Sequence, residues 1–207
     1  MAASRVDFKR RYRHTWPESV LRERFVLLFL RVFLPRGFEA RLVGFGAGNP
    51  DYVEGRFHGL EDAIDIAVFF QGDPIALIDV TGVTHRSVKK KGLGYCVGDW
   101  KLFGKAEKYG VLDRMWVAFV LEGETRILWA PATKFLTEYA TPGKLYEDED
   151  DVRCLPMHKW HPWYNPRWKE KGPIPFLVWL QQKAAEGPTK PLLRAFKRRG
   201  PAREKRG

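Results

Sequence analysis

Along the chain, apolar residues recur first at helical spacing. Leu21, Phe25, Leu28, Phe29 and Val32 follow Pro17, which suits the first turn of a helix where its missing N–H costs nothing, and Pro35-Arg36-Gly37 ends the run. FEARLVG then reads as a short strand and GFGAGNP as a loop. Two apolar runs follow, near 63–70 and 75–81, with Gln71-Gly72-Asp73 as the turn of a hairpin between them. GVTHRSVKKKGLGYCVG reads as a basic, glycine-bearing loop. Asp99 can cap a helix that runs to Tyr109 and stops at Gly110. RMWVAFV and TRILWA form a second hairpin through Glu122-Gly123. PATKFLTEYA is a short helix, and FLVWLQQKAAE a later one. The order α-β-β-β-α-β-β-α predicts an α/β or α+β core around a mixed central β-sheet flanked by helices.

This pattern divides the chain of 207 residues into four parts. Residues 1–16 are a basic arm and 17–140 the core. After the acidic run EDEDD, residues 141–189 form a Trp- and Pro-rich extension with a helix. Residues 190–207 hold eight Lys or Arg against one Glu, a net +7 within a total of +11, and read as a basic, disordered tail. Such a balance favours a polyanionic partner, nucleic acid before an anionic membrane. The longest apolar run, FVLLFLRVFL, is too short to span a bilayer and contains Arg31. The charged N-terminus has no secretory pattern. Cys96 and Cys154 stand in no metal or redox spacing, which suits a reducing, cytoplasmic interior. Cys154 lies near His158 and His161, but a fourth zinc ligand is lacking. Scarce Asn, Gln, Ser and Cys beside plentiful Arg and Glu lean towards a heat-adapted source.

The candidate chemistry lies in the first hairpin. Asp65 and Asp79 each interrupt an apolar run, and a turn at Gly72 sets them almost opposite each other. Facing residues hold their Cβ atoms roughly 4.5–5.5 Å apart. Two carboxylates that close repel unless one is protonated or a cation lies between them. A hard divalent ion, Mg²⁺ or Mn²⁺, would resolve the repulsion; an Arg partner or a turn-capping role would as well. Further on, Trp160, Trp163, Tyr164 and Trp168 alternate with Lys159, Arg167 and Lys169, a pattern that suits base stacking or packing onto the core.

Over residues 18–136 these motifs, in this order, resemble the PD-(D/E)xK nuclease superfamily and, within it, the archaeal Holliday junction resolvases. The resemblance rests on Arg22-Glu23-Arg24-Phe25-Val26, Gly37-Phe38, Gly44-Phe45-Gly46-Ala47-Gly48, Asp65-Ile66-Ala67-Val68, Ile78-Asp79-Val80-Thr81, LFGKAEKYG and the MWVAFV…RILWAPATKFL hairpin. It implies a restriction-endonuclease-like α/β fold, a homodimer, and a Mg²⁺-dependent endonuclease acting on branched or structured DNA. Glu23, Asp65 and Asp79 would be its acidic metal site. The chain departs from the pattern at Thr81, where the family places a lysine. In some members that lysine migrates to the following helix, which makes Lys101 the candidate here, ahead of Lys89, Lys90 and Lys91. A catalytically silent nucleic-acid-binding protein on the same fold, or a protein that coats nucleic acid, is the alternative that Thr81 raises. Lys89–Lys91, Lys105, Arg194, Lys197, Arg198 and Arg199 are the candidate nucleic-acid contacts. Asp51 reads as part of a turn, and His85 as an exposed loop residue.

Overall fold

The computed structural model describes residues 5–43, 64–83, 95–98, 106–121, 126–137, 152–163 and 174–197, with the backbone alone over 5–16 and at 83, 126, 152, 157, 162, 163, 174 and 197. Helix α1 spans Arg5–Phe33, β1 Phe38–Leu42, β2 Ile66–Phe70, β3 Asp73–Val83 and β4 Tyr95–Gly98. Then come β5 Met115–Leu121, β6 Arg126–Pro131, α2 Lys134–Thr137, β7 Val152–Leu155 and β8 His161–Trp163. Helices α3, Ile174–Glu186, and α4, Lys190–Lys197, complete the described chain.

Six strands form one mixed sheet in the order β1-β2-β3-β5-β6-β8. Among the described strands only β3 and β5 run parallel; the other neighbours are antiparallel. Side chains alternate between the two faces, and both faces are covered. Ala67, Phe69, Leu77, Val117, Phe119 and Leu128 pack under β4, β7, Phe135 of α2 and Leu192 of α4. Ile66, Val68, Ile78, Val80, Trp116 and Trp129 pack under Val26, Leu27 and Leu30 of α1 and Phe176 and Leu180 of α3. Double coverage explains why β5 is buried at all seven positions and reads as continuous apolar sequence rather than alternation. The β2–β3 hairpin turns at Gln71 and Gly72, where Gly72 has φ +92°, a conformation open to glycine at no steric cost.

Four expectations change. Helix α1 does not start at Pro17 but carries it in its interior, so residues 5–16 are helix rather than a separate arm. The Arg- and Lys-rich segment before Pro17 has good helix formers and no turn signal, which carries the helix through it. Tyr95-Cys96-Val97-Gly98, within the stretch read as loop, is strand β4 and pairs with β7. Cys96 and Cys154 face each other in that pairing and form a disulfide, so neither is a free thiol in a reducing setting nor a zinc ligand beside His158 and His161.

The fourth change concerns the tail, whose first eight residues are helix α4. Leu192 is fully buried, and the Phe196 ring meets Phe69 edge-on at 5.6 Å. Residues 192, 195 and 196 share one helical face, so a short amphipathic helix docks there despite its charge. The extension is also clasped from below. The buried Arg114 guanidinium donates to the Lys183 and Gly187 carbonyls at 3.2 and 3.1 Å and pairs with Glu186 at 2.7 Å, capping the C-terminus of α3. No helix among the described residues is long and apolar enough to cross a membrane.

Candidate metal centre at the open end of β3

The β2–β3 ladder stops at the pair Ile66–Ile78. One step further, in register, stand Asp65 and Asp79. Instead of continuing the ladder, Asp65 turns its carboxylate onto the freed edge of β3. Its Oδ2 accepts the Val80 N–H at 2.6 Å, and its backbone carbonyl accepts the Val43 N–H at 3.1 Å. The Asp65 carboxylate therefore lies against the peptide that joins Asp79 to Val80. Beyond this point β3 runs on to Val83 with β5 as its only described partner. The two acids thus sit at the fork where β2 leaves β3, with Asp79 beside Val117, the third residue of β5, in the parallel pairing.

Asp79 is 1% exposed and shares its face of the sheet with Leu77. A buried carboxylate beside a second one needs a compensating cation or proton. Two carboxylates at one fork match the hard-oxygen donors that Mg²⁺ takes, with water and phosphate oxygens completing its shell. Glu23, 8% exposed, approaches from α1, which covers the other face. Its neighbour Arg22 lies on Gly82, so Glu23 is at the same end of the sheet as the aspartates but starts from the opposite side. Among the described residues no three His, Cys, Asp or Glu side chains gather closely enough to hold a metal. The convergence visible here is that of Asp65 with the Asp79–Val80 peptide.

Sequence reasoning passed over Arg22 and Gly82. A Cβ on Gly82 would lie 2.7 Å from the Val120 carbonyl oxygen and 2.8 Å from both Cδ and Nε of Arg22. The missing side chain admits a guanidinium at the acid end of β3, one residue beyond Thr81. Burial pushes the Arg22 pKa down, and Glu18, 3.3 Å away, offsets part of that shift. The available signal was a lone glycine inside an apolar strand, which often marks a close approach.

Of the other candidate residues, Arg194 stands exposed on α4, and Lys197 closes that helix. Lys89, Lys90, Lys91, Lys101, Lys105, Arg198 and Arg199 lie outside the described residues, as do Asp51 and His85. The Trp-rich segment is described at Trp160, which is buried against Tyr95, Phe119 and Phe135 and donates its Nε1–H to the Leu155 carbonyl at 2.9 Å. That ring packs the extension onto the core rather than offering itself to a base.

No protein-family model matches the chain, and no curated protein matches its sequence. Among solved structures it is similar to that of D212, a nuclease from a fusselovirus, with a TM-score of 0.52. The match has 18% sequence identity and covers 78% of this chain and 88% of that one. At this identity the likeness is one of fold: an α/β architecture with a mixed central sheet between helical layers.

Proposed function

We propose that the chain is a metal-dependent endonuclease that hydrolyses phosphodiester bonds in branched or structured DNA. The observation that carries this reading is the Asp65 carboxylate seated against the Asp79–Val80 peptide at the open fork of β3, in a fold shared with a nuclease. Asp65 and Asp79 would hold Mg²⁺ or Mn²⁺, assisted by Glu23 from α1. The bound ion would supply a more acidic water and offset charge on the phosphate oxygens. The protein's share is orientation. The Val80 N–H fixes one Asp65 oxygen, and the sheet fixes Asp79, so neither donor must be ordered when substrate arrives. Lys101 would supply the cation that Thr81 lacks. Arg194 and Lys197, with Arg198, Arg199, Lys89–Lys91 and Lys105, would meet backbone phosphates, positioning DNA without reading its sequence.

The test is incubation of labelled branched, flapped, single-stranded and linear DNA with Mg²⁺, Mn²⁺ or EDTA. Cleavage of branched DNA with either metal and none in EDTA is the expected result. Lys101→Ala should then lower cleavage by about 10²-fold, the effect of losing one charge-stabilising group, with DNA affinity nearly intact. Equal cleavage by that variant would move the role to Lys89–Lys91 or Arg22. A wild-type protein that binds these DNAs and cuts none favours the second reading, a silent nucleic-acid-binding protein on the nuclease fold, which Thr81 motivates.

The basic C-terminus gives a separate expectation. Because α4 is docked, the informative truncation ends at Lys197 and removes 198–207; cutting at 190 would also strip Leu192 and Phe196 from the core. The shorter chain should bind all DNA sequences more weakly. Its dependence of log K on log salt should flatten by about 0.9 per lost phosphate contact on duplex DNA. An unchanged slope would show that these cations do not meet phosphate.

A further inference from the structure

Past Asp79, β3 runs on to Val83, and Gly82 stands near its end. The side chain Gly82 lacks belongs on the face that α1 covers, since Ile78 and Val80 of the same alternation pack there. In its place lies Arg22 of α1, with Cδ and Nε each 2.8 Å from where a Cβ would be; the Val120 carbonyl oxygen is 2.7 Å from the same point. Any other residue would press on a rigid β5 carbonyl and push Arg22 off the strand. Glycine weakens a strand interior, and a close approach of this kind is what explains it there. The Arg22 side chain is only 12% exposed, and its Nη2 donates to Glu18, one turn back on α1, at 3.3 Å. At about 3.3 Å of rise per residue, Gly82 is roughly 7 Å along the strand from Val80. The Val80 N–H holds the Asp65 carboxylate. An acceptor of a strand N–H lies in the plane of the sheet, at the edge where a ladder partner would be. Asp65 is therefore at the edge of β3, with Asp79 on one face of the strand and Arg22 over the other. Beyond Ile78 no described β2 residue pairs with that edge.

We propose that Arg22 is a catalytic residue, donating from its guanidinium to the non-bridging oxygens of the phosphodiester that is cut at the Asp65–Asp79 fork. The inference rests on the nuclease reading and adds a residue to it. In the hydrolysis a water oxygen bonds to phosphorus while the bond from phosphorus to the leaving sugar oxygen breaks. The water gives up a proton and the leaving oxygen takes one up. Arg22 moves no proton, because a guanidinium stays charged; it offsets the negative charge on the phosphate oxygens. Two features of its seat suit that work. A planar fork can meet two phosphate oxygens at once, which the single ammonium of a lysine cannot. Its stem is held by α1 and by the slot over Gly82, so little order has to be gained when DNA arrives. Thr81 brings no charge to this end of β3, and Arg22 brings one from the helix, beside whatever Lys101 adds.

The test is single-turnover cleavage of branched DNA at saturating protein, for wild type, Arg22→Ala and Arg22→Gln. Both variants should cut about 10²-fold more slowly, as loss of one charge-stabilising donor does. Their Mn²⁺ binding in calorimetry should match wild type. Added guanidinium ion, far below denaturing concentration, should restore cleavage by Arg22→Ala saturably, which a merely structural role does not allow. A second readout needs no cleavage. In EDTA, the Arg22 Nε–H NMR resonance, assigned by its absence from Arg22→Gln, should shift when branched DNA is added. Arg22→Gln also keeps most of the side chain's length, should Arg22→Ala misfold. Wild-type cleavage matched by both variants overturns the proposal and leaves the nuclease reading standing. A folded Arg22→Ala that guanidinium ion cannot rescue overturns it as well, as does a resonance that DNA leaves in place. An effect on DNA affinity alone, with the saturated rate unchanged, makes Arg22 a binding contact and likewise overturns it. A wild type that cuts none of the DNAs with either metal removes the nuclease reading itself, and this inference with it.

Discussion

Asp79→Asn should abolish metal-dependent cleavage, by roughly 10³-fold or more, while leaving the thermal midpoint nearly unchanged. The substitution keeps shape and volume, so packing of β3 against β5 is not disturbed. What it removes is a negative charge held at 1% exposure next to a second carboxylate. In the proposed enzyme the same charge is a metal donor, and an amide oxygen binds Mg²⁺ far more weakly than a carboxylate. Function is therefore lost without a matching loss of stability, which ordinary structural damage cannot mimic. Calorimetric titration with Mn²⁺ gives a direct reading: binding to wild type and none to Asp79→Asn. If the variant loses activity together with ten or more degrees of melting temperature, Asp79 is structural and the metal centre is wrong.

The second large effect is expected at the disulfide. Reduction, or Cys154→Ser, should destabilise the fold by about 4 kcal/mol, the chain-entropy value for a loop the size of the 58-residue separation. The bond joins β4 and β7, two four-residue strands that form their own small sheet. Tyr95, Val97 and Leu155 from that sheet cover Phe119 and its neighbours, so loosening it unroofs one face of the core. Urea melts with and without reductant measure the difference. Cys96→Ser should match the effect of Cys154→Ser, and the double variant should add nothing. Melts that coincide in the presence and absence of reductant would mean the β4–β7 packing holds without its covalent link.

The elements that could be read from sequence are those with long apolar signals. The β2–β3 and β5–β6 hairpins and α3 each present four or more apolar residues at strand or helix spacing. Asp65 and Asp79 were legible for the same reason, as charges where the pattern calls for none. Strands β4 and β8 were hidden because YCVG and HPW are too short to show a period and are held by partners far along the chain. The disulfide was hidden likewise, since no spacing rule links residues so far apart. Charge masked α4: its cations outweigh Leu192, Ala195 and Phe196, yet those three share a face. Arg22 was invisible as a site residue because its meaning lies in the side chain that Gly82 lacks.

Helix α4 also bears on how the chain folds. Phe196 packs on Phe69, and the Arg114 clasp waits for Lys183, Glu186 and Gly187, so the core's early strands are completed by helices far along the sequence. The parallel β3–β5 pair adds another long closure, through the crossover between Val83 and Met115. Contacts of such sequence separation must lose loop entropy before they return any binding energy, which places folding in roughly the millisecond-to-second range. Until α4 docks, Phe69 lacks its edge-on partner Phe196, so this face of the sheet closes late in folding.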